Sequence, residues 1–272
     1  MQCVISRAKG GYMNKGCWLS CRELTMKFGG LVALDSFDID VHGGDVIGLL
    51  GPNGSGKTTF FNVLTGLYTP SDGSITFNGN NLFNRSPSEI NQAGVARSFQ
   101  RCRLMLELSV FDNLMVGAHH QFDHSLIKNL LWRRFLGRNL SLFERRARDI
   151  CARFNPEIAD RLFDPAGSFN MIDRRRIELC RALLGQPRLL LLDEPSAGMT
   201  HDETFRLMED VTAFQREEPQ LAIILIEHEM QVIEKMTHRC IVLNFGKKIC
   251  EGPYRDVISN PQVRQAYLGD DK

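Results

Sequence analysis

The chain contains no apolar run approaching the roughly 20 residues that a bilayer-spanning helix needs. Its longest candidates, Leu189–Leu192 and Leu221–Ile226, have the length of buried strands. If the chain works at a membrane, other subunits must supply the spanning helices. The eight cysteines (Cys3, Cys17, Cys21, Cys102, Cys151, Cys180, Cys240 and Cys250) show no C-x-x-C spacing, which argues for reduced thiols over a zinc or disulfide framework. Excess charge is also missing: the formal net value is +1, so no bulk field points to nucleic acid. Met1–Gly16 carries Arg7, Lys9 and Lys15 without an apolar segment behind them, so it lacks the form of a secretory signal. Residues 1–20 are expected to be a loose extension. No internal repeat is visible.

What remains is ordinary for a globular chain with a full core: 272 residues, 43% hydrophobic and 24% charged. From Arg22 to Asn78 short apolar runs alternate with turn residues. Val46–Leu50 reads as a compact strand, Thr58–Gly66 as a helix carrying Phe60, Phe61, Val63 and Leu64, and Ser74–Phe77 as a short strand between turn clusters. About residues 101–181 read as helical and arginine-rich, without strand signals. Strand signals return at Leu189–Leu192, Ala222–Ile226 and Cys240–Leu243, separated by helical stretches Asp202–Gln215 and Met230–Met236. That alternation predicts an α/β fold with a parallel sheet, an antiparallel β part before it, and a helical segment inserted into it.

Between the first compact strand and its helix lies Gly51-Pro52-Asn53-Gly54-Ser55-Gly56-Lys57-Thr58-Thr59, matching G-x-x-x-x-G-K-[ST]. Small residues let successive backbone N–H groups close around phosphates, and the helix N-terminus adds positive potential. Lys57 then reaches the β- and γ-phosphates, and the Thr58 hydroxyl ligates Mg²⁺. The strand Leu189–Leu192 ends in Asp193 and Glu194. Beside a phosphate loop, Asp193 becomes a Mg²⁺ partner and Glu194 a general base for the attacking water. His228 follows the strand Ala222–Ile226, where it is placed to hydrogen-bond the γ-phosphate and hold that water; an isolated histidine would more often be structural. Gln100 opens the helical segment and is a candidate bridge from Mg²⁺ to that segment.

Phosphate loop, glutamine, acidic strand end and downstream histidine, in this order, resemble the ATP-binding-cassette (ABC) ATPases. Within them Phe28-Gly-Gly-Leu31, Gln100-Arg101-Cys-Arg103-Leu104 and the C-terminal Asn260-Pro-Gln-Val-Arg-Gln-Ala-Tyr-Leu268-Gly269 are similar to ATP-binding subunits of branched-chain amino acid importers. The likeness runs from about Leu24 to Gly269. It implies a P-loop NTPase of ABC type over residues 21–272, with ATP and Mg²⁺ bound and ATP hydrolysed. It also implies that Phe28 stacks on adenine, although the same ring would suit a core. Ala197-Gly198-Met199-Thr200 occupies the place of a loop that contacts a partner subunit, with Thr200 where aspartate or asparagine is usual.

One motif departs from the family. Counting back from Arg175-Arg176-Ile-Glu178 places its Leu-Ser-(Gly or Tyr)-Gly-Gln signature, which acts on the partner's ATP, at Phe169-Asn170-Met171-Ile172-Asp173. Ile172 is branched where the backbone must approach a phosphate closely, and Asp173 is expected to add a like charge there. This is either a degenerate half-site in an asymmetric dimer or a divergent signature that still works; the first is preferred, and with it a heterodimer.

Ser125–Arg153 carries Lys128, Arg133, Arg134, Arg138, Arg145, Arg146, Arg148 and Arg153, against Glu144 and Asp149, with Leu126, Leu130, Leu131, Trp132, Phe135 and Leu136 in its first half. It reads either as a surface for anionic membrane or permease loops, or as a solvated face over the segment's own core. By resemblance the expected partners are a second ABC ATPase subunit, two membrane permease subunits and, indirectly, a solute-binding protein, with no nucleic acid. The expected place is the cytoplasm, peripheral on the cytoplasmic face of the (inner) membrane. Lipid or lipopolysaccharide export, or an ATP-gated subunit with weak hydrolysis, are the alternatives. A soluble cassette for DNA repair or translation would bring tandem cassettes or a long coiled coil, and neither is present.

Overall fold

A computed structural model describes residues 16–98, 103–118 and 133–268. Two sheets organise it. The first is antiparallel, with β1 (Cys17–Phe28), β2 (Leu31–His42), β4 (Asp72–Phe77) and β5 (Asn80–Asn81) in the order β2-β1-β4-β5. The second has six strands in the order β10-β9-β3-β8-β7-β6, comprising β3 (Val46–Leu50), β6 (Val95–Ser98), β7 (Leu189–Asp193), β8 (Ala222–Ile226), β9 (Arg239–Asn244) and β10 (Lys247–Gly252). All its pairings are parallel except that of β10 with β9.

The central strands are apolar throughout because both of their faces are covered. Side chains alternate across the strand, so Leu189 and Leu191 enter one core while Leu190 and Leu192 enter the other. The first core joins the antiparallel sheet to the central one through helix α1 (Lys57–Leu64), whose Phe60, Phe61, Val63 and Leu64 are all buried. The second lies under helices α4 (Arg133–Phe154), α6 (Met171–Leu183) and α7 (His201–Glu217). Helices α2 (Pro87–Ala93), α3 (Val110–Gly117), α5 (Pro156–Asp160) and α8 (Met230–Met236), with a 3-10 turn at Ala166–Ser168, are the other described helices before β9. Between β6 and β7, neighbouring strands of one sheet, the described residues are helix and loop except for an isolated Ser109–Pro165 bridge.

The start of β1 differs from expectation. β1 begins at Cys17, inside the supposed loose extension 1–20, with Leu19 fully buried and Trp18 Nε1 donating to Gln220 O at 3.1 Å. An indole bonded to the rim of the central sheet anchors what composition alone presents as a tail. Residues 1–15 lie outside the described set.

The arginine-rich stretch resolves in part. Residues 119–132, including Lys128, lie outside the described residues, as do the side chains of Arg133, Arg134 and Arg138. Further along α4 the arginines bind the protein itself. Arg148 donates to Glu144 and to Ala159 O and covers Phe163, while Arg153 pairs with Glu217 and Glu218 and covers Phe214.

Phe60 is the test of how tightly α1 joins the two sheets: it is fully buried, with its ring edge-on to Phe37 at 4.9 Å. Phe60→Ala should cost about 3–5 kcal/mol, read as a lower midpoint in urea unfolding at an unchanged slope. A midpoint equal to that of the unmodified chain would mean that α1 is not locked between the sheets.

Candidate nucleotide site

The loop from Gly51 to Gly56 leaves β3 and turns into α1 with no room for side chains at its ends. Gly51 has φ +143° and a Cβ there would lie 2.1 Å from Leu243 O; Gly56 has φ +109° and a Cβ would lie 2.5 Å from Ala33 O. Both positions therefore require glycine. Lys57, first in α1, is buried and donates to Gly51 O at 2.6 Å and Pro52 O at 3.0 Å. Burial pushes its ammonium below the usual lysine range, opposed by the charges of Glu194 and Asp193. The loop and the first sheet face a cleft of about 350 Å³, lined by Phe28, Leu31, Val32, Ala33, residues Asn53 to Thr59, Glu194 and Phe245. Phe28 is 42% exposed on its rim, with its ring edge-on to Tyr68 at 5.2 Å.

Acidic groups reach the cleft from the next strands. In the parallel pairing of β7 with β8, Asp193 stands opposite Ile226. One residue later Glu194 adopts φ +46°, unusual for a side chain of its kind, and its N–H donates to Ile226 O at 2.9 Å. That turn directs the carboxylate to His228, whose Nε2 lies 2.8 Å from Glu194 Oε1. Asp193 is buried, and its Oδ2 accepts from Arg97 of β6 at 2.5 Å; Arg97 also donates to Asn62 Oδ1 at 2.7 Å. Thr58 is exposed at the start of α1 and lines the cleft together with Glu194, so a hydroxyl and a carboxylate, both hard oxygen donors, border the same space.

Behind the histidine sits a second carboxylate. Buried Glu227 accepts from Ser196 N at 3.1 Å, from Ser196 Oγ at 2.6 Å and from His228 N at 3.1 Å, tying the end of β8 to the loop after β7. That loop continues to Thr200, whose side chain caps α7, and Ala197 O accepts from Arg175 of α6 at 3.4 Å. Gln100 lies outside the described residues.

The structure brings Phe28, Asn53, Gly54, Ser55, Gly56, Lys57, Thr58, Thr59 and Glu194 to one cleft, with Gly51, Pro52, Asp193 and His228 directly attached. Asn170, Met171, Ile172 and Asp173 are not among the cleft residues. They form the start of α6, where Asn170 Oδ1 accepts the Asp173 N–H at 2.9 Å as a helix cap and Met171 is 53% exposed. The expected like charge of Asp173 is not presented to a partner. Its carboxylate is buried and accepts from Asn155 Nδ2 at 3.0 Å and Arg176 NH1 at 2.9 Å, because the third residue of a capped helix turns inward here and finds its own cation. Four residues carried no signal of their own in the sequence: Phe245, which lines the cleft, Tyr267, bonded to Gly51, Arg97, bonded to Asp193, and Glu227, bonded to Ser196 and His228; Arg97 and Glu227 each stand within three residues of a candidate site residue.

The ABC transporter family profile matches residues 34–197. The chain belongs to the ABC transporter family. It is an ATPase of that family, and its nucleotide is ATP. A second profile, the branched-chain amino acid ATP-binding cassette transporter, matches residues 247–272. The cassette is 35% identical over 252 residues to the high-affinity branched-chain amino acid transport ATP-binding protein LivG of Salmonella typhimurium, covering 93% of this chain and 98% of that one. A nucleotide-free ATP-binding cassette from an ABC transporter superposes with a TM-score of 0.79 at 26% identity, over 94% of this chain and all (100%) of that one. The ADP conformation of MJ1267, also an ATP-binding cassette of an ABC transporter, gives 0.78 at 26% identity, with 94% and 100% coverage. The Asp193–Glu194 strand end and the phosphate loop thus sit in a cassette fold by sequence and by shape alike.

Glu227 gives a pH test of the cassette's stability. Burial raises its carboxyl above the usual 4.5, against the pull of its three donors. The native state therefore holds the proton more tightly than the unfolded one. This contribution is fully present below about pH 4.5 and is lost as pH rises through the raised value. In denaturation midpoints from pH 4.5 to 7.5, Glu227→Gln should gain on the unmodified cassette as pH increases. A difference independent of pH would contradict the assignment.

Proposed function

We propose that the cassette energises import of branched-chain amino acids, as one half of a nucleotide-sandwich dimer docked beneath membrane permease subunits. The observation that carries the hydrolytic reading is the Glu194–His228 contact of 2.8 Å beside the phosphate loop. In this reading residues Gly51 to Thr59 cradle the triphosphate, and Lys57 exchanges its carbonyl contacts for β- and γ-phosphate oxygens. Phe28 offers its face to adenine. Glu194 takes the proton of the attacking water, and His228, its backbone N–H held by the Glu227 carboxylate, fixes that water against the γ-phosphate. Thr58, Asp193 and Gln100 would hold Mg²⁺, which when bound neutralises charge developing on the phosphate oxygens. Arg97 keeps the Asp193 carboxylate aimed while it is unligated.

Import is supported by the names of the relatives and by the matching C-terminal segment. In this reading a permease pair carries the solute and a solute-binding protein delivers it; no helix among the described residues is long and apolar enough to cross a membrane. Met105, Leu106 and Leu108 are exposed large apolar residues on the loop that leads from the Gln100 region into α3, a fitting place for such subunits to sit on the cytoplasmic face. The internal pairing of Arg148 and Arg153 favours a bracing role for the second half of α4 over membrane contact.

The signature favours an asymmetric heterodimer. With Asp173 turned inward, the obstacle that remains is steric: Ile172 and exposed Met171 stand where a close backbone approach to the partner's phosphate is needed, and Asn170 Oδ1 is committed to the helix cap. A second ATPase with a regular signature would complete this chain's own site.

Two measurements address the proposal. In vesicles containing the assembled transporter, leucine-loaded binding protein should stimulate ATP hydrolysis and leucine uptake together; stimulation by lipid substrate alone would replace import with export. In the isolated chain, at concentrations high enough to dimerise, Asn170→Ser with Ile172→Gly should raise steady-state ATPase activity, because a transition-state contact is regained. Asp173 stays unchanged in this variant because it ties α6 to Asn155. Activity already equal in the unmodified chain would leave residues 169–173 a working signature.

A further inference from the structure

The C-terminal segment touches the phosphate loop directly. After β10 the chain forms two short helices, α9 (Tyr254–Ser259) and α10 (Pro261–Leu268). An eight-residue helix is marginal by itself, since the costly first turn is followed by few further bonds. α10 therefore depends on what it packs against, and its described residues bury little: Val263 joins the core, while Gln262, Arg264 and Gln265 are exposed. Tyr267 lies four residues beyond Val263 and so on the same face. Its ring is partly exposed, but its hydroxyl accepts the Gly51 N–H at 2.8 Å.

Gly51 is a sensitive point to hold. It lies one residue past the last β3–β9 pair, Leu50 with Val242, and its Cβ-free backbone is pressed against Leu243 O. Its carbonyl accepts Lys57 Nζ. Farther along the loop, Ser55 O accepts the Gly246 N–H at 2.9 Å. Elsewhere α10 stands off: a cleft of about 500 Å³ separates Pro52, Asn53 and Gly54 from Gln262, Gln265 and Ala266. The Tyr267 hydroxyl reaches across to the loop at Gly51.

We infer that Tyr267 is a positioning residue for the nucleotide: α10 docks through its hydroxyl on the outer side of the phosphate loop, and helix docking and nucleotide occupancy reinforce each other. Anchoring the Gly51 N–H outward leaves the following loop amides turned toward the phosphates, so the loop binds with less rearrangement. By linkage the effect is reciprocal: a nucleotide that favours the anchored loop also favours the docked helix. The inference rests on the loop being the nucleotide site.

The full chain tests it with ATP as the probe. In the unmodified protein, saturating ATP should slow amide hydrogen exchange in residues 262–268. Tyr267→Phe keeps the ring and removes the acceptor; it should raise the Kd and KM for ATP by roughly 3- to 10-fold, with kcat less affected. It should also abolish the nucleotide-dependent protection of residues 262–268 without moving the urea midpoint of the central sheet. Unchanged exchange in 262–268 on adding ATP to the unmodified chain, or a Tyr267→Phe protein with the original Kd, would overturn the inference. If the unmodified chain bound no ATP at all, the nucleotide reading of the loop would fall first, and the inference with it.

Discussion

The parallel pairing of β8 between β3 and β7 is the constraint on which the rest of the site depends. β3 delivers the phosphate loop, β7 delivers Asp193 and Glu194, and β8 delivers Glu227 and His228, all from the same end of one sheet. Strand ends at that edge leave backbone groups beyond the ladder, and here they are used: Glu194 N–H takes Ile226 O, and the turn this imposes aims the carboxylate at His228. A slip of one residue in the β7–β8 pairing would send Asp193 to the opposite face and separate the acid from the histidine. The apolar cores on both faces, with Leu189 to Leu192 alternating between them, hold that register.

Charge is handled within the chain. Lys57 rests on loop carbonyls, Asp193 on Arg97, Glu227 on Ser196, and Glu194 on His228. Removing one member of a buried pair such as Arg97–Asp193 would cost about 3–5 kcal/mol, since the other charge would be stranded. These contacts keep a crowded group of charges compatible with folding.

Much of this was legible in the sequence because the motifs are short and local. A strand, six residues with three glycines, and Lys-Thr opening a helix determine their own geometry, and so does an apolar strand ending in Asp193-Glu194. Less legible were the features that depend on long-range contact. Val95–Ser98 is only four residues long and contains Arg97, so it gives no apolar run, yet it is the strand that supplies the partner of Asp193. Asp173 read as an interface charge because sequence order does not tell which side of a helix faces Asn155 and Arg176. Trp18 looked like part of a tail until its partner proved to be Gln220, and Tyr267 looked like a family ending until its partner proved to be Gly51.

The central claim is that Glu194, aimed by its turn at His228, performs the chemical step on ATP held by the Gly51–Thr59 loop. It is tested most directly by comparing equilibrium ATP binding with single-turnover hydrolysis in Glu194→Gln, in the assembly where this site is completed by a regular partner signature. The account predicts unchanged binding and a chemical step slowed by roughly 10²–10⁴-fold. Hydrolysis at the unmodified rate would remove Glu194 from the reaction and contradict the account.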